Sequence, residues 1–206
     1  MLTYNPDHST KMHLTYFAHR GRGDVYELLC TVGRQPVDLI VTRVNWNHFL
    51  TMRESGLHGF RLPYQQLPVL LITNTAGKDR IVAQTNSIIT YTAKIVGEYP
   101  SDEIHAAVAE SVINRLSDLS SIGWYQCKTD KERAQFLSTL VSTRLPPILT
   151  DLESMIATNT SDSQEATLNL DSIWIVGETR TFADLAIFAA LHELWSMGAA
   201  ITSCGL

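Results

Sequence analysis

Apolar positions along the first hundred residues come in short runs separated by helical spacing. His13 to Ala18 is rich in aromatic and β-branched residues and predicts a strand. Asp24 to Thr31 places Val25, Leu28 and Leu29 on one face and stops before Gly33, which predicts a helix. Val37 to Val41 reads as a second buried strand. Two strands flanking a helix form a βαβ unit, whose strands pair in parallel. Asn45 to Arg53 predicts a short helix and Gly56 to Tyr64 a loop. Pro68 to Thr73 and Arg80 to Ala83 read as two more strands around a turn containing Gly77. Thr85 opens a helix that runs to about Val96.

Near residue 98 the pattern changes. Glu98-Tyr99-Pro100-Ser101 reads as a linker, and helical periodicity then dominates. Ile104, Val108, Val112, Leu116 and Leu119 mark one long amphipathic helix. Leu137, Leu140, Val141, Leu145, Ile148, Leu149 and Leu152 mark a second, which Pro146-Pro147 must kink or split. Thr158 to Asn169 is polar and reads as a loop. Phe182 to Trp195 is apolar nearly all round, the pattern of a helix buried within a bundle. The order βαβ then ββα, with a proline opening the third strand, describes a thioredoxin-type fold. The expected fold class is thus an α/β thioredoxin-like domain over residues 11–97, followed by an all-α helical domain over 102–206.

Composition narrows the function classes. The chain has 206 residues, 45% of them hydrophobic and 18% charged, enough to bury a core. Sixteen basic and 21 acidic side chains give a formal charge of -5 with no basic block, which argues against nucleic acid or an anionic membrane as partner. The longest apolar stretch is far short of a membrane span, and Met1 to Thr10 lacks signal-peptide character. Cys30, Cys127 and Cys204 share no short spacing, so a disulfide framework is not expected and a cytoplasmic location is. The seven histidines show no metal-ligand spacing, and no metal is expected. Gly21 and Gly23 do not complete a phosphate-binding fingerprint.

Four segments together resemble a cytosolic glutathione transferase, closest to the sigma class of prostaglandin D synthases and helminth transferases. They are Leu14-Thr15-Tyr16-Phe17 with Arg20-Gly21-Arg22, and Gln66-Leu67-Pro68-Val69-Leu70. Gln84-Thr85-Asn86-Ser87-Ile88 with Tyr91 and Ala93 is the third, and Thr181-Phe182-Ala183-Asp184-Leu185-Ala186 the fourth. The resemblance spans His13 to Leu194. It implies glutathione as co-substrate, a hydrophobic electrophile as second substrate, and a homodimer.

The chemistry requires a thiolate, because a thiol of pKa about 8.5 is mostly protonated at neutral pH. By resemblance, Tyr16 supplies the hydroxyl that stabilises the sulfur anion, and Arg22 tunes the field around it. A tyrosine in an apolar strand can equally be a core residue, and an arginine at a helix start is often solvated. Leu67-Pro68 implies a cis bond that turns the backbone groups of Leu67 toward an extended peptide, as an added strand would be met. Gln84 and Thr85 stand at a helix N-terminus suited to the γ-glutamyl carboxylate, Thr85 serving equally as a plain cap, and the resemblance also makes Gln66, next to Leu67, a glutathione-binding residue. Trp46 matches the tryptophan at the glycyl end of glutathione. Asp118 matches one member of an acid pair that reaches the neighbouring subunit's site, the other being Ser117 here, and a solvated helix face is its alternative reading. Thr181 and Asp184 form a capping box, a folding element. Phe17, Trp124 and the region of Leu119 are candidates for the electrophile cleft.

The pattern also departs from the family. Leu50 stands where a lysine is usual, leaving Arg53 or Arg61 as alternative cations, and residues are inserted between Trp46 and Pro68. Glu27 replaces a basic or neutral residue. The chain stops soon after Met197, where family members continue, so an open electrophile site or a covering partner is expected. The alternative function is a non-catalytic, transferase-like binding or structural protein.

Overall fold

The computed structural model describes residues 11–74, 76–119, 122–162 and 173–203. The chain divides into two compact units, Met1–Glu98 and Tyr99–Leu206.

The first unit is a four-stranded mixed sheet with helices. Its elements are β1 (Lys11–Phe17), α1 (Asp24–Val32), β2 (Asp38–Val44), α2 (Trp46–Ser55), β3 (Val69–Thr73), β4 (Asp79–Ala83) and α3 (Thr85–Ile95). The strand order is β2-β1-β3-β4, with β1 parallel to β2 and antiparallel to β3, and β3 antiparallel to β4. The expected thioredoxin-like topology is therefore present. Strands β1 and β2 begin or end a few residues outside the predicted limits, because Lys11, Thr42 and Arg43 are polar yet still paired in the ladder.

Hydrophobic burial explains the order of the elements. Met12, Leu14 and Tyr16 of β1 enter one core with Val69, Leu70 and Ile72 of β3 and with Tyr26, Ile88 and Ile95 of the helices. Helix α1 stops at Gly33, where a Cβ would stand 2.5 Å from the Val96 side chain; only glycine allows the end of α1 to lie this close to the end of α3. The same junction is closed by Gln35 N–H on the Val96 carbonyl at 2.9 Å and by Arg34 on the Gly97 carbonyl at 2.6 Å. Arg34 also pairs with the buried Glu98 at 3.5 Å. Asn45 caps α2 through the His48 amide, and Gly56, at φ +85°, ends it. The following segment turns tightly through Leu57 and Phe60, which exchange backbone hydrogen bonds of 2.8 and 2.9 Å. It then makes a 3-10 turn at Pro63–Gln65, with Tyr64 and Gln65 both at φ +52°.

The second unit is helical. It contains α4 (Glu103–Leu116), α5 (Ile122–Gln126), α6 (Asp130–Thr139), α7 (Leu145–Asp162) and α8 (Phe182–Ser203), with a 3-10 turn at Ser117–Leu119. Two predicted features are revised. The second long helix is split, as its prolines require, but the break is a π-helical turn at Leu140–Arg144. Pro146 and Pro147 bring no N–H to the Ser142 and Thr143 carbonyls, so the coil widens and Leu145 N–H bonds the Leu140 carbonyl instead. The polar stretch from Thr158 continues α7 to Asp162 rather than forming a loop; the remainder of that stretch lies outside the described residues. Asn159 explains the extension. Its side chain donates to the carbonyls of Trp174 and Gly177 and accepts the Gly177 amide, at 3.1, 2.9 and 2.8 Å, so α7 carries the turn that precedes α8.

Helix α8 buries Phe182, Ala183, Leu185, Ala186, Leu194 and Met197 but leaves Phe188 and Trp195 mostly exposed, so it is not enclosed on all sides. Its start is capped reciprocally by Thr181 and Asp184, although Thr181 reaches the second amide of the helix rather than the third that a full capping box uses. Asp184 Oδ2 accepts from the Thr181 amide and hydroxyl at 2.8 and 3.0 Å, and Thr181 Oγ1 accepts the Ala183 amide. Asp184 Oδ1 additionally accepts the Ile175 amide at 2.9 Å. No helix among the described residues is long and apolar enough to cross a membrane.

Candidate functional site in the sheet unit

Tyr16 lies near the end of β1, 5% exposed as a residue. Its hydroxyl oxygen accepts the backbone N–H of Arg22 at 3.2 Å, just before α1 begins. An amide donated to that oxygen, at the positive end of a helix, favours negative charge there and leaves the phenolic proton to be given elsewhere. The ring fits because residue 23 is glycine: a Cβ there would come within 2.7 Å of the Tyr16 ring. His19 meets the ring edge-on at 5.5 Å and Phe17 at 5.8 Å.

A second group converges at the β3–β4 end. The Leu67–Pro68 bond is cis. Strand register pairs Val69 with Ala83, which brings Gln66, Leu67 and Pro68 alongside Gln84 and Thr85. Gln84 Nε2 donates to Gln66 Oε1 at 3.3 Å. Gln84 sits at φ +74° and ψ +127°, a backbone conformation costly for a residue with a Cβ. It precedes α3, whose N-terminus has no side-chain cap.

Trp46 opens α2 and is 60% exposed. It stacks on Phe17 at 6.2 Å, and Phe17 stacks on His19 at 5.4 Å, forming an aromatic shelf beside Tyr16. The lysine-equivalent Leu50 is exposed. Arg53 donates to Gln65 Oε1 at 2.9 Å and stands over the Phe49 ring. Arg22 is exposed on the turn that bonds Tyr16. The sheet unit thus holds Tyr16, Arg22, Trp46, Gln66, Leu67, Pro68, Gln84 and Thr85. Asp118 belongs to the helical unit, where it pairs with Arg115 at 2.6 Å; Arg115 also holds Asp151 at 2.8 Å. The group that sequence reasoning overlooked is Arg43, on β2 directly opposite Tyr16 in the ladder, with its guanidinium 5.7 Å from the Tyr16 ring centre. A lone arginine in a β-branched run carries no motif; only the parallel register points to it.

Burial pushes the Cys30 thiol up to about 12, so it remains protonated at neutral pH and is no nucleophile. Among the described residues no cluster of His, Cys, Asp or Glu is arranged to hold a metal.

Comparison with known proteins agrees with this architecture. Residues 118–202 match the family described as glutathione S-transferase, C-terminal domain. No curated protein matches the sequence significantly. Among solved structures, the prostaglandin synthase D of Nilaparvata lugens superposes with a TM-score of 0.66 at 20% identity, covering 94% of this chain and 85% of that one. The sigma class transferase of Fasciola hepatica gives 0.66 at 18% identity, covering 91% and 81%. The glutathione S-transferase of Ascaris lumbricoides gives 0.63 at 20% identity, covering 91% and 82%. At such identities the likeness establishes the fold. The chain therefore has the glutathione transferase fold, a thioredoxin-like α/β unit followed by an all-helical unit whose sequence matches the transferase C-terminal domain.

Proposed function

We propose that the protein binds glutathione and activates its thiol for attack on hydrophobic electrophiles, as a sigma-like transferase. The observation that carries the reading is the Tyr16 hydroxyl, held by the Arg22 amide in the same unit as the Gln66–Gln84 pair. Tyr16 gives its phenolic proton in a hydrogen bond to the sulfur, which has released its own proton to solvent. The thiolate then forms the carbon–sulfur bond, and the electrophile's leaving group departs or its double bond takes a proton. Arg22 adds a positive charge near the sulfur. The backbone of Leu67 pairs with the cysteinyl portion, with Pro68 fixing the approach. Thr85, Gln84 and Gln66 hold the γ-glutamyl end at the start of α3, and Trp46 bounds the glycyl end. The ion pair of Asp118 with Arg115 favours a helix-surface role for that acid.

This reading implies a cytoplasmic homodimer serving detoxification or a glutathione-dependent isomerase or peroxidase reaction. Leu50 in place of the usual lysine favours the second reading, a transferase-like protein that no longer turns over. A spectroscopic pH titration of bound glutathione separates the two. The wild type is expected to form thiolate below the free pKa of about 8.5. Tyr16→Phe should raise that midpoint by about one unit, near 1.4 kcal/mol, and cut turnover about tenfold with affinity nearly intact. Binding without a lowered midpoint would leave the non-catalytic reading in possession.

A further inference from the structure

One guanidinium gathers the whole turn between β1 and α1. Arg43 Nη1 donates to the carbonyls of Phe17 and His19 at 3.1 and 3.2 Å. Its Nη2 pairs with Glu27 and lies 3.6 Å from Asp24 Oδ1. The other oxygen of Asp24 accepts the Gly21 amide at 3.2 Å, and the Asp24 amide returns a bond to the Gly21 carbonyl at 2.8 Å. Arg22, whose amide holds the Tyr16 hydroxyl, sits inside this closed loop.

We infer that Arg43 is the positioning residue of the Tyr16 hydroxyl, acting through the turn at residues 17–24 that its fork ties together. Geometry matters more than charge here. Two carboxylates, Glu27 and Asp24, face the one positive charge of Arg43, so these three groups together supply no positive field to the phenol. The same turn also carries His19, which meets the ring edge-on, Arg20, 3.8 Å from Asp24, and Arg22. What Arg43 supplies is a planar set of donors that reaches two carbonyls and two carboxylates at once. Lysine, a point charge on a flexible stem, cannot reproduce that set. The residue thus explains why Glu27 stands on a helix face where a basic or neutral side chain is usual: it is the fourth anchor of the fork.

The bearing of Arg43 on thiolate activation rests on the glutathione reading above, whereas its hold on the turn does not. The test uses the full-length chain labelled with nitrogen-15 and follows hydrogen exchange at the Arg22 amide. The amide bonds Tyr16, so Tyr16→Phe should release it and sets the reference. Arg43→Lys is expected to accelerate its exchange about tenfold, as loss of one hydrogen bond does, while the amides of β1 and β3 keep their protection. Glu27→Gln, which removes one anchor and leaves the fork in place, should accelerate it less. Arg43→Lys should also raise the midpoint of thiolate formation in bound glutathione. Wild-type protection of the Arg22 amide in Arg43→Lys would overturn the inference, as would loss of protection with an unmoved thiolate midpoint. Loss of protection in a protein whose wild type never binds glutathione would uphold the positioning role and refute the transferase reading instead.

Discussion

His13 of β1 and His58 of the segment after α2 meet at a tilt with ring centres 4.8 Å apart, and His13 Nε2 lies 2.7 Å from Thr42 Oγ1. Partial burial, and then the neighbouring imidazole, hold His13 below its ordinary value of 6.5. In the unfolded chain it takes up a proton near pH 6.5, while the folded chain resists until lower pH. The stability linked to this group is therefore complete above pH 6.5 and is lost as pH falls toward the folded value. His13→Gln should flatten that part of the stability curve, read as urea midpoints from pH 7.5 to 5. An unchanged difference between wild type and variant across the range would refute the assignment. At this scale the site was unevenly legible. Tyr16, Pro68 and Gln84 stand at strand ends with recognisable neighbours. Arg43 and Gly23 show their importance only through tertiary closeness, one by strand register and the other by the space its missing side chain leaves to a ring.

Among the elements, α8 depends most visibly on one side chain. Asp184 satisfies the Thr181 amide and hydroxyl and the Ile175 amide, tying the helix start to the turn before it. Asp184→Ala should cost about 1–3 kcal/mol, since the donors it abandons are partly buried. Chemical denaturation would show it, and a loss below a few tenths would mean that the turn rearranges to find other acceptors. The cap was readable as a four-residue motif because it is local. The π turn was half readable. Two prolines announce a break, but whether the chain kinks, splits or widens depends on how Leu140 and Ile148, both buried, are kept on one side of the coil. Helix α7 outran its predicted end for a similar reason: Asn159 finds its partners in Trp174 and Gly177, distant in sequence.

For the whole molecule, the spacing of apolar residues changes near residue 98, and the chain divides into compact units Met1–Glu98 and Tyr99–Leu206. The exposed flank of α8 escaped that reading, since Phe188 and Trp195 are as apolar as the residues that are buried. The proposed dimer is tested by sedimentation equilibrium: the expected mass is twice the 23.0 kDa of one chain, and a single-chain mass at micromolar concentration would remove that part of the proposal.

The three backbone bonds of Asn159 have a consequence for where the chain can mature. Asn159-Thr160-Ser161 spells an N-glycosylation acceptor. A sugar on that amide would take one of the two hydrogens now given to the carbonyls of Trp174 and Gly177 and would put bulk where the turn closes. Oligosaccharide transfer precedes folding, so a copy made in a secretory compartment would carry the glycan before α7 met its turn. Ser161→Ala, which abolishes the acceptor while sparing Asn159, is the change to introduce before expressing this protein by that route.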